Sequence, residues 1–360
     1  SNNKNKPKVP YSSVPMEQQI SLLKEASAVA QQYDPRIVKV SVRYGVNTQN
    51  VTIYNSDGKI VNDSRTRGRC YMTAIAFKPG AMQTGGHGPG AQKGFEFFKE
   101  EIDLKELARD AARCAVTMLD AEECPSGEMP VIIDNGFGGV IFHEACGHGL
   151  EANSVSKNLS VFSGKKGQKV ASDIVNAFDD GTIEGGWGSG NFDDEGNKTQ
   201  NKQLIKNGVL QCYLVDEFNG RAMNERGNGS CRRESYKFQP TSRMSNTFIG
   251  NGTSTKEEII AATKFGLYAK SLGGGSVNPA TGDFNFAVNE GYIIEDGKIA
   301  YPVKGATLIG NGASILFNID MIANNLSTGH GMCGSASGSI PTDVGQPTIR
   351  VQNMTVGGRG

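Results

Sequence analysis

Apolar and polar residues repeat with two different periods along this chain, and the two periods separate helices from strands. Residues 15–34 place apolar side chains at helical spacing directly after a proline, which predicts an amphipathic helix. Residues 37–46 and 50–63 alternate apolar and polar positions, as strands do, and Asp57-Gly58 predicts a hairpin turn. The same patterns predict a strand at residues 69–78 and a second long helix at residues 97–122.

The remainder of the chain has a pattern that is mainly typical of strands. Hairpin turns are predicted at Asn207-Gly208 and at Asp296-Gly297, between alternating segments. One helix is predicted at residues 253–272, where Thr255 and Glu258 have the spacing of a capping box. A second is predicted in VIFHEACGHGLEA, after the short buried strand MPVIID and the turn NGFGG.

These elements predict an α+β fold in two domains, and the chain is long enough for each domain to have its own core. The linker-like segment CPSGEMP places the boundary near Pro125. We assign residues 1–125 to an N-terminal α/β domain. We assign residues 126–360 to a β-rich domain that carries the helix of HEACGH.

Composition narrows the range of functions. Lys+Arg and Asp+Glu both number 37, so the formal net charge is zero, which argues against a protein that binds nucleic acid or membrane surfaces through charge. There is no apolar run near 18 residues and no recognisable signal segment, so we expect no membrane span. The seven cysteines have no regular spacing and fit free thiols in the cytoplasm.

The segment HEACGH holds two of the four histidines, His143 and His148, with Glu144 directly after the first. In the zinc-protease motif H-E-x-x-H the histidines are four residues apart and share one helix face. Here they are five apart, so a regular α-helix would splay them by about 140°. A π-bulge can absorb one extra residue, and Gly147 is where the backbone best tolerates it. The motif therefore predicts a metal site on a bulged helix.

A catalytic zinc site needs a third protein ligand and one open position. Spacing leaves four candidates for that ligand. Glu151 lies three residues after His148, and Cys146 lies inside the motif. His330 and Cys333 lie together in STGHGMCGSASG, which we expect to be a glycine-rich loop.

Beyond this motif, several segments carry a resemblance to a known family. These are FSGKKGQKVAS, DDGT, DDEGN, GSCRRESY, PTSRMSNTF, YPVKGATLIGNG, GMCG and DVGQPTIRVQNMTVGG. Together with HEACGHGLEA they resemble the TldD/PmbA family, on the TldD side, from about Pro10 to Gly358. The chain starts well inside the family's N-terminal domain, so we expect the leading part of that domain to be missing. The loop after Cys333 lacks the lysine that relatives carry directly after C-G.

The resemblance implies a zinc-dependent metallopeptidase that holds one Zn²⁺ per chain. His143, His148 and Cys333 are then the metal ligands, and Glu144 is the general base for a metal-activated water. The family also implies unfolded or extended peptide substrates and a dimer, either with a second copy or with a paralogue that lacks the zinc motif. Neither nucleic acid nor membrane is expected as a partner.

Further residues and a rival function stay open at this stage. Glu151 is a candidate to orient a ligand histidine, and Arg233 and Tyr236 are candidate donors to an oxyanion, as are Arg232 and Arg243. For the arginines we favour structural contacts. The alternative function is a non-catalytic regulatory or binding protein, in the manner of a DNA gyrase modulator, that uses the zinc site structurally.

Overall fold

A computed structural model describes residues 3–278 and 280–358 and confirms the predicted α+β class. One unit comprises the chain up to Val51 together with Asp63–Glu122. The other comprises Thr52–Asn62 and the chain from Glu123 onward. Because the second unit also takes in residues from the first part of the chain, the domain boundary near Pro125 stays a proposal.

The first part of the chain folds as helices beside an antiparallel sheet. Its elements are α1 (Met16–Gln31), β1 (Ile37–Tyr54), β2 (Ile60–Lys78), β3 (Ala81–His87), β4 (Gly90–Ala91) and α2 (Leu104–Leu119). The sheet has the order β1-β2-β3, and β4 also pairs with β2. Apolar residues from both helices and from the sheet form the core of this unit.

Two predictions for this part need correction. The segments 37–46 and 50–63 were predicted as separate strands, but β1 continues through the polar positions between them. Together with the strand predicted at 69–78 they form one hairpin, β1 and β2. Side-chain hydrogen bonds between the strands, such as Thr48 Oγ1 to Thr66 Oγ1 (3.0 Å), stabilise β1 at these polar positions. The helix predicted at 97–122 is broken, since Ile102 is extended and Asp103 caps α2 by accepting from the backbone N–H groups of Lys105 and Glu106.

The second part of the chain is dominated by strands. Its helices are α3 (Val140–Phe142), α4 (Ala152–Val155), α5 (Glu217–Met223), α6 (Lys256–Ala261) and α7 (Gly312–Ile315). Its strands are β5 (Glu122–Glu123), β6 (Gly127–Ile133), β7 (Ala177–Asp180), β8 (Asn201–Lys206), β9 (Val209–Leu210), β10 (Cys231–Arg232), β11 (Thr241–Ser242), β12 (Asn246–Ile249), β13 (Phe265–Val277), β14 (Asp283–Glu295), β15 (Lys298–Lys304), β16 (Thr307–Asn311), β17 (Ile319–Ile322), β18 (Ser327–Ser335), β19 (Gly338–Gln346) and β20 (Ile349–Gly357).

Two large sheets contain most of these strands, and β10 pairs with β11 in a separate two-stranded sheet. One has the order β18-β19-β12-β7-β8-β9, so β18 is its outermost strand. The other has the order β13-β6-β20-β16-β14-β15-β5, with β17 on β20, and β13 also pairs with β14. The pairings β13-β6-β20-β16-β14-β13 therefore form a closed ring. A large apolar core lies in this unit, and Phe142, Ala145 and Cys146 of the HEACGH helix belong to it.

Three sequence predictions for this unit can be compared directly. The turns at Asn207-Gly208 and Asp296-Gly297 are present, and all four residues have positive φ as this hairpin turn requires. The Thr255–Glu258 capping box is also present, but the helix predicted at 253–272 ends with α6 at Ala261. The residues from Phe265 onward form β13 because β6 and β14 pair with it on either side.

Within the described residues, no helix combines the length and the apolar character needed to cross a membrane.

Candidate metal centre

The HEACGH segment lies on a helix whose backbone changes pitch at the histidines. Val140–Phe142 is α-helical, His143–Gly147 is a π-helical turn and His148–Leu150 is a 3-10 turn. The N–H of His148 donates to the carbonyl of His143, five residues earlier. The predicted bulge is therefore present. It absorbs the extra residue, so the two histidines face the same partner.

Cys333 lies opposite the histidines on β18 rather than in the predicted glycine-rich loop. This strand pairs antiparallel with β19 along its length, and Cys333 faces Ile340 across the pair. This segment contains few residues of high strand propensity, but it is extended because the neighbouring strand, β19, supplies hydrogen-bond partners for its backbone. A strand holds its side chains at fixed spacing, which gives the Cys333 thiol a more defined position than a loop would.

Three potential ligand atoms meet between the helix and β18. Cys333 Sγ lies 3.3 Å from His143 Nε2 and 3.4 Å from His148 Nε2, and the two imidazole rings are nearly perpendicular. A zinc ion with tetrahedral bonds of about 2.3 Å to sulfur and about 2.0 Å to nitrogen would place those atoms about 3.5 Å apart. The donor types and their separations therefore fit a zinc ion.

No other group in the described ranges 3–278 and 280–358 brings three such donors this close together. Of the other candidates for the third ligand, Cys146 is buried and directs its Sγ to the carbonyl of Gly312 at 3.5 Å. His330 pairs with Asp343, 2.5 Å from Nδ1 to Oδ1. Glu151 contacts Nδ1 of His148 instead of joining the three potential ligand atoms.

The electrostatics of the two histidines differ. Burial, reinforced by His148 and Arg243, lowers the pKa of His143 well below its ordinary value, so its ring is neutral as a metal ligand must be. Burial would also lower the pKa of His148, but the charges and hydrogen bonds of Glu151 and Cys333 outweigh it and raise that pKa. The negative charges that raise it also attract a metal cation.

Two carboxylates flank His148 in different surroundings. Glu144 Oε2 lies 3.6 Å from His148 Nε2, and 32% of its side-chain surface is exposed. Glu151 is buried, and its Oε1 lies 3.2 Å from His148 Nδ1. In contrast, Nδ1 of His143 is buried with no hydrogen-bond partner in the described part of the chain. Glu144 thus faces the ligand side of His148, whereas Glu151 is behind the ring.

The contacts of the predicted oxyanion donors are with other residues. The backbone N–H of Arg233 donates to Asp194, and its guanidinium donates to the carbonyl of Phe238. Tyr236 is 81% exposed, with the ammonium of Lys237 over its ring. A catalytic role for Arg233 and Tyr236 stays a prediction.

Of the residues that support the Cys333 strand, sequence reasoning named Arg232 and Arg243, for which it favoured structural contacts, but it missed Ser335 and Ser337. Ser335, the last residue of β18, and Ser337, in the turn that follows, accept hydrogen bonds from the buried guanidinium of Arg243. Arg232 donates to the carbonyls of Met244 and Pro341. The signal for these contacts in the sequence was the presence of two nearby arginines, Arg232 and Arg243, in a segment without a run of like charges.

Comparison with known proteins places this geometry in a family context. The PmbA/TldA metallopeptidase central domain matches residues 9–119, and the PmbA/TldA metallopeptidase C-terminal domain matches residues 126–358. A metalloprotease TldD homolog of Haemophilus influenzae is 40% identical over 355 residues, covering 97% of this chain and 74% of the relative. A metalloprotease of Methanothermobacter thermautotrophicus is 34% identical over 349 residues, covering 97% of this chain and 76% of the relative.

Solved structures share the fold at lower identity. A candidate modulator of a DNA gyrase from Thermotoga maritima has a TM-score of 0.82 at 24% identity, covering 97% of this chain and 76% of that one. TldE from Thermococcus kodakarensis has a TM-score of 0.80 at 19% identity, covering 99% of this chain and 78% of that one. At these identities the likeness concerns the fold alone.

Proposed function

This chain belongs to the PmbA/TldD metallopeptidase family, and from that premise we propose that it is a zinc-dependent peptidase that hydrolyses unfolded or extended peptides. The observation that carries the proposal is the meeting of His143 Nε2, His148 Nε2 and Cys333 Sγ beside the partly exposed carboxylate of Glu144. Three protein ligands with a nearby carboxylate are typical of catalytic rather than structural zinc sites.

The proposed metal ligands are His143, His148 and Cys333, with one Zn²⁺ per chain. When bound, zinc supplies a Lewis acid that polarises a peptide carbonyl and lowers the pKa of water to about 7. The buried carboxylate of Glu151 orients His148 by accepting from Nδ1–H, which directs Nε2 towards the other two donors.

Glu144 is the proposed general base. Its exposure allows water and substrate to reach the carboxylate, while the ligands behind it are more deeply buried. Glu144 would accept a proton from the attacking water and deliver it to the amine of the leaving peptide. The same carboxylate therefore serves both halves of the reaction.

The position of Cys333 supports an extended peptide as substrate. Its strand, β18, is the outermost strand of its sheet among the residues described. An outermost strand presents unpaired backbone groups on one side, and an extended peptide can add to such an edge through main-chain hydrogen bonds. Met332 is exposed and Gly334 adjoins open space, so the edge beside the thiol is accessible.

Partners and compartment form part of the same proposal. We propose that the protein works as a dimer, either of two copies or with a paralogue that lacks the zinc motif, as the family resemblance of the sequence implies. The proposed compartment is the cytoplasm, where thiols stay reduced, because the seven cysteines lack the regular spacing of a disulfide framework.

The deciding experiment measures zinc per purified chain and the cleavage of unfolded casein. We expect about one zinc in the wild type, a large loss in Cys333→Ser, and cleavage that requires the metal. The partly buried Cys212 contacts the carbonyl of Gln203 instead of the site, so Cys212→Ser is the matched control. A wild type that holds zinc but cleaves no unfolded protein would favour the non-catalytic binding function. A wild type without zinc would contradict the proposed site.

A further inference from the structure

Arg243 is the most deeply buried arginine side chain around the candidate metal centre, with 1% of its surface exposed. One of its terminal nitrogens, Nη2, donates to the carbonyl of Cys333 at 2.6 Å. The other, Nη1, donates to the hydroxyls of Ser335 at 2.6 Å and Ser337 at 2.5 Å, and to the carbonyl of Gly338 at 3.3 Å. The guanidinium thus holds the end of β18 and the turn that follows it.

The same guanidinium faces the segment that carries the histidines. Its Nε lies 3.9 Å from Glu151 Oε1, and the other contact of that oxygen is with His148 Nδ1 at 3.2 Å. Nε makes no hydrogen bond in the described part of the chain, so this ion pair is its polar contact. Arg243 therefore lies between the strand that bears Cys333 and the carboxylate that orients His148.

The neighbours of Arg243 along the chain contact the histidine segment as well. The hydroxyl of Ser242 accepts from the backbone N–H of Asn153, two residues after Glu151. Met244 lies directly against the π-helical turn, because a Cβ added to Gly147 would be 2.2 Å from its Sδ. The segment Ser242–Met244 thus runs between the helix of the histidines and the hairpin of β18 and β19.

A guanidinium suits this place better than an ammonium or an apolar side chain. Burying a cation is costly unless its hydrogen bonds are satisfied and a counter-charge is near. Arginine has a planar fork that bonds several acceptors at fixed angles, whereas lysine offers one compact charge. Here the hydrogen-bond acceptors lie at the two terminal nitrogens, and the carboxylate of Glu151 lies at Nε.

We propose that Arg243 is a positioning residue that fixes the Cys333 strand relative to Glu151 and His148, so that the three ligand atoms are preorganised for the metal. This inference rests on the proposed function. It differs from the oxyanion role considered from the sequence, because a guanidinium that is 1% exposed and bonded to four groups of the hairpin does not reach a substrate. Preorganisation of this kind requires support from residues behind the ligands.

The experiment compares Arg243→Met, which removes the charge, with Arg243→Lys, which keeps the charge but loses the fork. Arg350→Met is the matched control, since Arg350 is a partly buried arginine whose side chain bonds Asp320, Ala262 and Thr263. Zinc affinity is measured by competition with a chromophoric chelator. The cobalt-substituted proteins report the thiolate-to-cobalt charge-transfer band, which follows the position of Cys333.

Both Arg243 variants are expected to bind zinc about 10- to 100-fold more weakly than the wild type, as for other residues that support metal ligands, with a weakened charge-transfer band. Arg350→Met should keep the wild-type affinity and band. If Arg243→Met does not fold, Ser337→Ala removes one acceptor of the fork, and the same weakening in direction is expected. Wild-type affinity and an intact band in folded Arg243 or Ser337 variants would overturn the inference alone. A wild type that binds neither metal would overturn the proposed function, and this inference with it.

Discussion

Glu144 and Glu151 are two like carboxylates around one imidazole, and the roles that we propose for them differ. Glu144 is partly open to solvent on the Nε2 side of His148, and Glu151 is buried on the Nδ1 side. A carboxylate that exchanges protons with substrate must reach it, whereas one that orients a ligand works best where water is excluded. Solvent exposure rather than residue type therefore separates the two proposed roles.

Replacing Glu144 with glutamine is expected to lower kcat about 10²- to 10⁴-fold, because an amide cannot accept the proton from water. Zinc content should stay at the wild-type level, since Glu144 is outside the proposed ligand set. Steady-state cleavage of an unfolded protein checks the rate, and metal analysis checks the content. Glu184→Gln, a change at an exposed position, is the control. Full activity in Glu144→Gln would remove it from the reaction.

Replacing Glu151 with glutamine is expected to lower zinc affinity about 10- to 100-fold, because His148 loses the charged partner that orients its ring. Glu290→Gln is the matched control, since Glu290 is also buried and pairs with Lys270. Chelator competition on the folded variants measures both. Equal affinities in the two variants would show that the contact at Nδ1 does not support the metal.

At the scale of elements, the π-helical turn could be predicted from the sequence, but the strand that meets it could not. Five-residue spacing of His143 and His148 is incompatible with a shared α-helical face, so a distortion followed from geometry. The residues around Cys333 are mostly glycine, serine and threonine, whose pattern shows no strand. Their strand conformation depends on pairing with β19, a contact between chain segments that local pattern does not contain.

The close approach of α7 to the π-helical turn gives a prediction for Gly312. A Cβ on Gly312 would lie 2.0 Å from the carbonyl oxygen of Ala145, a backbone atom that cannot rotate away. Alanine normally favours a helix over glycine by about 1 kcal/mol, but the overlap should dominate and destabilise Gly312→Ala by about 1–3 kcal/mol. Thermal unfolding measures the loss. Gly274→Ala, with no atom within 4 Å of the added Cβ, is the control. Equal melting temperatures for Gly312→Ala and Gly274→Ala would mean that α7 and the π-helical turn separate easily.

At the scale of the whole molecule, the candidate metal centre and its support lie in one unit. Every member of the large apolar core lies between Cys124 and Val356, as do the residues of the three potential ligand atoms and Glu144, Glu151 and Arg243. The first unit has a separate core. The chain length and the linker-like segment CPSGEMP predicted two domains, and the alternation of apolar and polar residues predicted a β-rich second domain. The order of the strands in each sheet depends on pairings between distant segments, which these patterns do not contain.

We therefore expect the fragment 123–358 to fold and to bind one zinc with an affinity within about tenfold of the full chain, because its core and ligands are its own. Circular dichroism, thermal unfolding and chelator competition test this. The variant Cys333→Ser in the same fragment serves as the zinc-free reference. An unfolded fragment would show that Thr52–Asn62 or the first unit is needed for stability.

The long separation in sequence between Cys333 and the two histidines affects the entropy of the unfolded chain and the order in which the centre assembles during synthesis. His148 and Cys333 are 185 residues apart, so a cation that joins them acts as a cross-link over that span. By the chain-entropy relation for cross-links, a loop of this length restricts the unfolded state by an amount worth about 5 kcal/mol. On the ribosome, the two histidines emerge long before the thiol. A nascent chain, or one that terminates before Cys333, would contain the HEACGH segment without its third ligand, and the centre would assemble only after Cys333 has been synthesised.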